Sequence, residues 1–272
     1  MMVSVRSLLL PLSAALLVAL PACDGTGTVP RAIDRTTVFE QSFNSDTDGW
    51  VTNETAGQQG WCGALAQQSA DDGPARPSAG AGYAVAEGAA CNDYWQDQGF
   101  PRSGPFSPSG GFDSTWPENG FVNEIDLYLD PGWPAGAGFG FSVSALDQDG
   151  NHLKSNAHSG YFVLEVVADK STGDLLLGTA TQTTFTPPQD LEDDDHFAVP
   201  RAGWYTVRHT FHNDGGTLTV DIEVLRGERL LFDATHPTSF DIASTVGGNE
   251  YAWFTFITDG LSLPIDEHRL RE

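Results

Sequence analysis

The apolar positions of this chain fall on alternate residues far more often than on every third or fourth. In NEIDLYLD (123–130), Ile125, Leu127 and Leu129 lie on one side of an extended chain, with Glu124, Asp126, Tyr128 and Asp130 on the other. The same alternation, or a short continuous apolar run, marks TVFEQSF (37–43), GYAVAEG, GFGFSVSAL, GYFVLEVVAD, GDLLLGTA, GWYTVRHTFH, GTLTVDIEVL, RLLFDAT, EYAWFTFIT and PIDEHRLR. The connectors DQDGN, KSTGD, HNDGG and RGE carry the Gly, Asn and Asp of tight hairpin turns. No strand–helix–strand rhythm occurs. The pattern predicts an all-β fold of consecutive antiparallel strands.

Two regions depart from this pattern. At the start, Arg6 precedes the apolar run LLLPLSAALLVAL, which reads as an export signal over residues 1–22 and is too short to span a bilayer. The run closes on Leu20-Pro21-Ala22-Cys23, which resembles the bacterial lipobox; the resemblance implies that Cys23 is lipidated and becomes the mature N-terminus. Cleavage after Ala22 with a free thiol is the alternative. Residues 23–35 then form a polar tether to one domain over residues 36–272. The expected location is the cell envelope, with membrane attachment through lipid only.

The second region, residues 45–118, is rich in Gly, Pro, Ser, Gln and Ala and is too long for a plain connector unless it is functional or stapled. The chain has 3 cysteines. With Cys23 lipidated, Cys62 and Cys91 remain as a pair for an oxidising compartment, closing a loop worth about 3 kcal/mol by chain entropy. Charge narrows the partners: 13 Lys and Arg stand against 37 Asp and Glu, a formal −24. Removing residues 1–22 takes one arginine and no acid, leaving 12 against 37 and a formal −25. Nucleic acid and anionic lipid are repelled by such a surface.

Three stretches carry a family resemblance. VFEQSFNSDTDGW is similar to the first strand and turn of bacterial jelly-roll sandwiches, and LPIDEHRL to their last strand. Between them, AGWYTVRHTFHNDGGTLTVDIEVLRGERLLF resembles the concanavalin A-like lectin/glucanase superfamily, laminin-G-like domains included. The resemblance implies an antiparallel jelly-roll β-sandwich, to which the cysteine count adds a disulfide-stapled loop region. Enzymes, lectins and adhesins share that architecture, so it leaves function open.

The superfamily's family 16 glycoside hydrolases use a strand of the form E-x-D-x-E or E-x-D-x-x-E, onto which Glu124 and Asp126 fit as weak catalytic candidates. Tyr128 or Leu129 stands where the second Glu belongs, and a retaining mechanism needs two carboxyls about 5 Å apart. NEIDLYLD therefore reads better as a strand with an acidic outer face. His209 and His212 are three apart on a strand and face opposite sides, which suits structural histidines more than a shared metal. No Gly-x-Ser-x-Gly, His-Glu-x-x-His or Cys-x-x-Cys occurs.

For metal, the resemblance implies that an acid of the first strand, Glu40, and an Asp of the last, Asp266, meet at a structural calcium. Weaker oxygen-ligand spacings occur at Asp46 and Asp48, before Gly49, and at Asp147 and Asp149, around Gly150; both also fit simple turns. DLEDDDH (190–196) reads as a solvated loop. Trp61, Tyr94, Trp95, Trp116 and Trp133 sit in Gly/Pro-rich loops, where flat rings can stack on sugars or merely seal the sandwich ends. The expected function is non-catalytic, lectin-like binding of a polysaccharide or glycoconjugate, with calcium as the candidate cofactor. A structural or protein-binding surface module, and a glycoside hydrolase or polysaccharide lyase with an atypical site, are the alternatives.

Overall fold

Alternation of apolar residues becomes two stacked sheets. The computed structural model describes residues 35–52, 62–71, 77–91, 102–154, 160–182 and 186–272. Its strands are β1 (Thr37–Gln41), β2 (Ala64–Ser69), β3 (Gly82–Glu87), β4 (Ala89–Ala90), β5 (Arg102–Ser103), β6 (Phe106–Ser107), β7 (Phe121–Leu129) and β8 (Gly138–Asp147), followed by β9 (Tyr161–Ala168), β10 (Leu175–Ala180), β11 (Phe197–Ala198), β12 (Gly203–Asp214), β13 (Thr217–Arg226), β14 (Arg229–Asp241), β15 (Val246–Ile257) and β16 (Ser262–Arg271). One sheet has eight strands in the order β14-β13-β12-β7-β16-β3-β2, with β1 beside β16; the other has six, β11-β10-β9-β8-β15-β6. Strands β4 and β5 form a separate ribbon. All these pairings are antiparallel.

The core is built from the inward half of each alternation. Ile125, Leu127, Tyr205, Val207 and Phe211 of the larger sheet meet Phe139, Phe141, Phe162, Leu164 and Phe254 of the smaller. Phe211 stacks on Phe121 with centroids 4.2 Å apart and meets Phe162 edge-on at 5.4 Å. Each such side chain contributes about 2 kcal/mol by leaving water. His209 belongs to this layer: burial pushes its pKa down to about 3, so it stays neutral. His212 points outward and pairs with Asp221. The two histidines therefore face opposite ways, as their spacing requires.

The chain's first and last strands pair, with Glu40 opposite Arg269 and Gln41 opposite His268. Cys62 and Cys91 are joined as a disulfide. In the HNDGG hairpin, Gly215 and Gly216 take φ of 60° and 100°, which residues with a Cβ avoid. DLEDDDH is not wholly solvated: a 3-10 turn at Leu191–Asp193 buries Leu191 against Val167 and Leu176, and half-buries Glu192, while Asp193, Asp194 and Asp195 are exposed.

Candidate functional site: a trough along the six-stranded sheet

The run GFGFSVSAL forms β8, a central strand of the six-stranded sheet. Its inward residues are Phe139, Phe141, Val143 and Ala145, so Gly138, Gly140, Ser142 and Ser144 are left for the outer face. The flanking strands place larger side chains beside this small row. Ser144 lies between Tyr161 of β9 and Tyr251 of β15, Ser142 between Val163 and Trp253, and Gly140 between Glu165 and Phe256. Small residues flanked by tall ones on both sides make a trough along β8, with walls about 10 Å apart at the backbone.

One end of the trough is filled. A Cβ on Gly140 would collide with Thr255 Oγ1 and sit 2.9 Å from the Phe256 ring, because the β15 register shifts between Phe254 and Phe256. At the other end the Tyr161 and Tyr251 hydroxyls approach to 3.4 Å, leaning toward each other from opposite sides of β8. Burial holds both phenols above their ordinary pKa, so both are proton-bearing donors at neutral pH. Phe106 and Val51 extend the apolar wall beyond Trp253 and Tyr251.

His152 follows the DQDGN turn and lies against the tyrosine end. Its Nδ1 is 2.5 Å from Glu250 Oε2, and its ring centroid is 4.4 Å from Tyr161 and 6.3 Å from a parallel Tyr251. Nδ1 is the nitrogen that the carboxylate engages, which leaves Nε2 on the far side of the ring. That nitrogen is buried and has no hydrogen-bond partner, and the same holds for Ser142 Oγ and Thr255 Oγ1, both on fully buried residues. Buried polar atoms are nearly always bonded, so three orphans along one face call for a further polar group there. His152 and Tyr161, both part-exposed, mark the end where the trough meets solvent.

The residues singled out from the sequence lie elsewhere. Glu124 sits on the outer face of the eight-stranded sheet, where Arg208 Nε holds Oε1 and Arg271 holds Oε2, each at 2.7 Å. Asp126 accepts from Thr206 Oγ1 at 2.6 Å and lies opposite Asp266. NEIDLYLD is a strand with a charged outer face. Trp116 and Trp133 are partly buried against Phe121 and Phe139 at the sandwich ends. Trp61, Tyr94 and Trp95 lie outside the described residues.

The calcium pair expected at Glu40 and Asp266 is not assembled. Glu40 is bound by Arg269 at 2.8 Å, whereas Asp266 Oδ2 accepts from Ser78 N and Oγ at 2.8 and 2.9 Å. A bulge at Glu267, with φ of 49°, separates the two sites along β16. Desolvation, opposed by those donors and aided by Asp126, lifts the Asp266 pKa to about 6. Asp46 takes Gln41 Nε2, the Asp48 amide and Ser45 Oγ, while Asp147 takes the amides of Asp149 and Asn151, so both acids close their own turns. No group of three or more His, Cys, Asp or Glu is placed to hold a metal among the described residues.

No protein-family model and no curated protein sequence matches the chain. Solved structures similar to it include the Emp46p carbohydrate recognition domain (12% identity, TM-score 0.42, covering 88% of this chain and 98% of that one) and a lectin from Bauhinia forficata in complex with GalNAc (10%, 0.37, 82% and 96%). A third is the exoplasmic/lumenal domain of VIP36 in a Ca2+/Man3GlcNAc-bound form (8%, 0.36, 83% and 89%).

Proposed function

We propose that this domain binds a polysaccharide or glycoconjugate along the outer face of β8, without chemistry of its own. The observation that carries the reading is the trough: aromatic walls, a floor of small hydroxyl residues, and buried polar atoms at Ser142, Thr255 and His152 that lack partners. A sugar supplies what such a face needs. Its C–H faces can pack on the part-exposed ring of Tyr161 at the mouth, and its ring hydroxyls both donate and accept. We further propose that the chain is exported and held at the cell envelope by lipid on Cys23, a reading supported by the leader and the cysteine count.

The test is retention of the soluble Cys23→Ser mature chain on a panel of soluble and insoluble polysaccharides, with calcium and with chelator. Retention that is lost in Tyr161→Ala and in Ser142→Val, with melting temperature unchanged in at least one of them, supports the reading. A chelator effect adds the calcium expected from the sequence. Absence of retention on every glycan sinks the reading and leaves a surface module whose partner is a protein. For the anchor, incorporation of labelled palmitate into wild type but not Cys23→Ser is the expected result.

A further inference from the structure

Two large apolar side chains are exposed among the described residues, Val38 at 48% and Phe112 at 61%. Single exposed hydrophobics are ordinary, so their placement is what matters. Val38 lies on β1, close after Arg35, whose guanidinium donates to the carbonyls of Gly120 and Asn119. Thr36 N donates to Glu272 O at 2.6 Å and Glu272 N to Thr36 O at 2.9 Å, which sets this point of entry beside Glu272. Phe112 belongs to the same end. A Cβ on Gly110 would come 3.3 Å from Phe39 Cβ, so the Phe112 loop packs on β1. Burial, and after it the charge of Asp113, raises the Glu272 pKa, which places Asp113 near the same residue.

The loop holds Phe112 out by bonds on both sides of it. Asn249 Nδ2 donates to Pro108 O and to Gly111 O at 3.1 Å each. Asp113 N donates to Asn249 O and Gly248 N to Asp113 O, both at 2.9 Å. Gly248 leaves room for that crossing, since a Cβ there would lie 2.6 Å from Thr115 O. A side chain on a backbone tied down in this way loses little freedom when it docks.

We infer that Val38 and Phe112 form a bilayer contact, seating the entry end of the domain on the membrane that holds the Cys23 lipid. The inference rests on the anchor reading and adds the surface that the anchor brings down. Cys23 and Arg35 are twelve residues apart, a reach of about 40 Å fully extended and about 20 Å as a flexible coil. The lipid therefore keeps both side chains close to the headgroups, where a contact too weak to bind from solution becomes an intramolecular one. Asp113 and Glu272 beside the patch oppose anionic headgroups, so a zwitterionic surface fits it best.

The experiment places the lipidated chain in phosphatidylcholine vesicles with and without bromine on the upper acyl carbons, which quenches indole on contact. Phe112→Trp adds emission to that of the wild type, and the added part should fall by about half or more on brominated vesicles. Val38→Trp is the second reporter, should Phe112→Trp fail to fold. Added emission that bromine leaves unchanged, in chain shown to carry palmitate, overturns the inference and leaves the anchor reading standing. Absence of palmitate overturns the anchor reading instead. The Cys23→Ser/Phe112→Trp chain is then held on nickel-chelating lipid by an N-terminal histidine tag, and quenching there supports the contact while its absence overturns it. Dimerisation of the Cys23→Ser chain in sedimentation, abolished by Phe112→Ser, assigns the patch to a second copy and also overturns the inference.

Discussion

Asp266 offers the clearest quantitative check on the physics of this fold. Its carboxyl is fully buried on β16, bonded to Ser78 N and Oγ, to Ala79 N and to the amide of Glu267, and it lies opposite Asp126. Burial raises its pKa from 3.8 to about 6. The folded state therefore binds this proton more tightly than the unfolded chain, so stability falls as pH rises. The contribution is whole below pH 3.8 and lost as pH passes through about 6. A rise of about two units corresponds to about 3 kcal/mol at most, and to about half that once water around the part-exposed Asp126 is allowed for. Asp266→Asn removes the titration; any change in hydrogen bonding adds a constant offset. Urea unfolding followed by tryptophan fluorescence, from about pH 4 to pH 7.5, should then show the variant gaining roughly 1.5–3 kcal/mol relative to wild type. The difference between the two proteins is what counts, because His209 and His268, each held near 3 by burial, pull the other way. Their contribution is whole above pH 6.5 and lost as pH falls toward 3. Parallel pH profiles for wild type and variant would refute the buried-carboxyl reasoning.

Further outcomes follow from single contacts. Ser142→Ala and Thr255→Val each delete a buried hydroxyl without a partner, so the ligand-free domain should gain about 1 kcal/mol in urea unfolding while glycan retention weakens. Arg208→Ala leaves Glu124 with half of its clamp and Glu223 without its guanidinium; a loss of roughly 3 kcal/mol is expected, and a midpoint shift below about a fifth of that would show the network is mere surface decoration. The double variant Cys62→Ser/Cys91→Ser should lose about 3 kcal/mol, with dithiothreitol reproducing the loss in wild type and leaving the variant unmoved. His209→Phe should flatten the acid limb of the stability profile between pH 6.5 and about 3, read from melting temperature against pH.

The sheets were legible because alternation is a local property: Ile125, Leu127 and Leu129 declare an inward face without knowledge of what covers it. Hairpin turns were legible for the same reason. The site was not, because a trough exists only across strands. Ser142 and Ser144 look like ordinary polar alternation in GFGFSVSAL until register sets Trp253 and Tyr251 on one side and Val163 and Tyr161 on the other. The available signal was the run of small outward residues, Gly138, Gly140, Ser142 and Ser144, since an outer strand face more often carries long polar side chains. Glu40 and Asp266 misled because adjacency of terminal strands was expected correctly, whereas the Glu267 bulge that offsets them has no spelling in PIDEHRLR.

The two outer faces differ in satisfaction more than in polarity. On the eight-stranded sheet, Glu124 has Arg208 and Arg271, Asp126 has Thr206, Asp221 has Thr235 and His212, and Glu40 has Arg269. These four carboxylates are answered by neighbouring strands, and Thr219 Oγ1 of β13 is the buried outward hydroxyl left without a partner among those named on this sheet. On the six-stranded sheet, small hydroxyls are sunk between aromatic walls and left without partners. Folding alone gains nothing from burying Ser142 Oγ or Thr255 Oγ1 unpaired, and alanine or valine at those positions would fill the same space at lower cost. Groups that a fold is better off without are retained where something outside the fold completes them. By that criterion the acidic face that first attracts the eye is structural, and the quieter face of serines and tyrosines is the one we propose for binding.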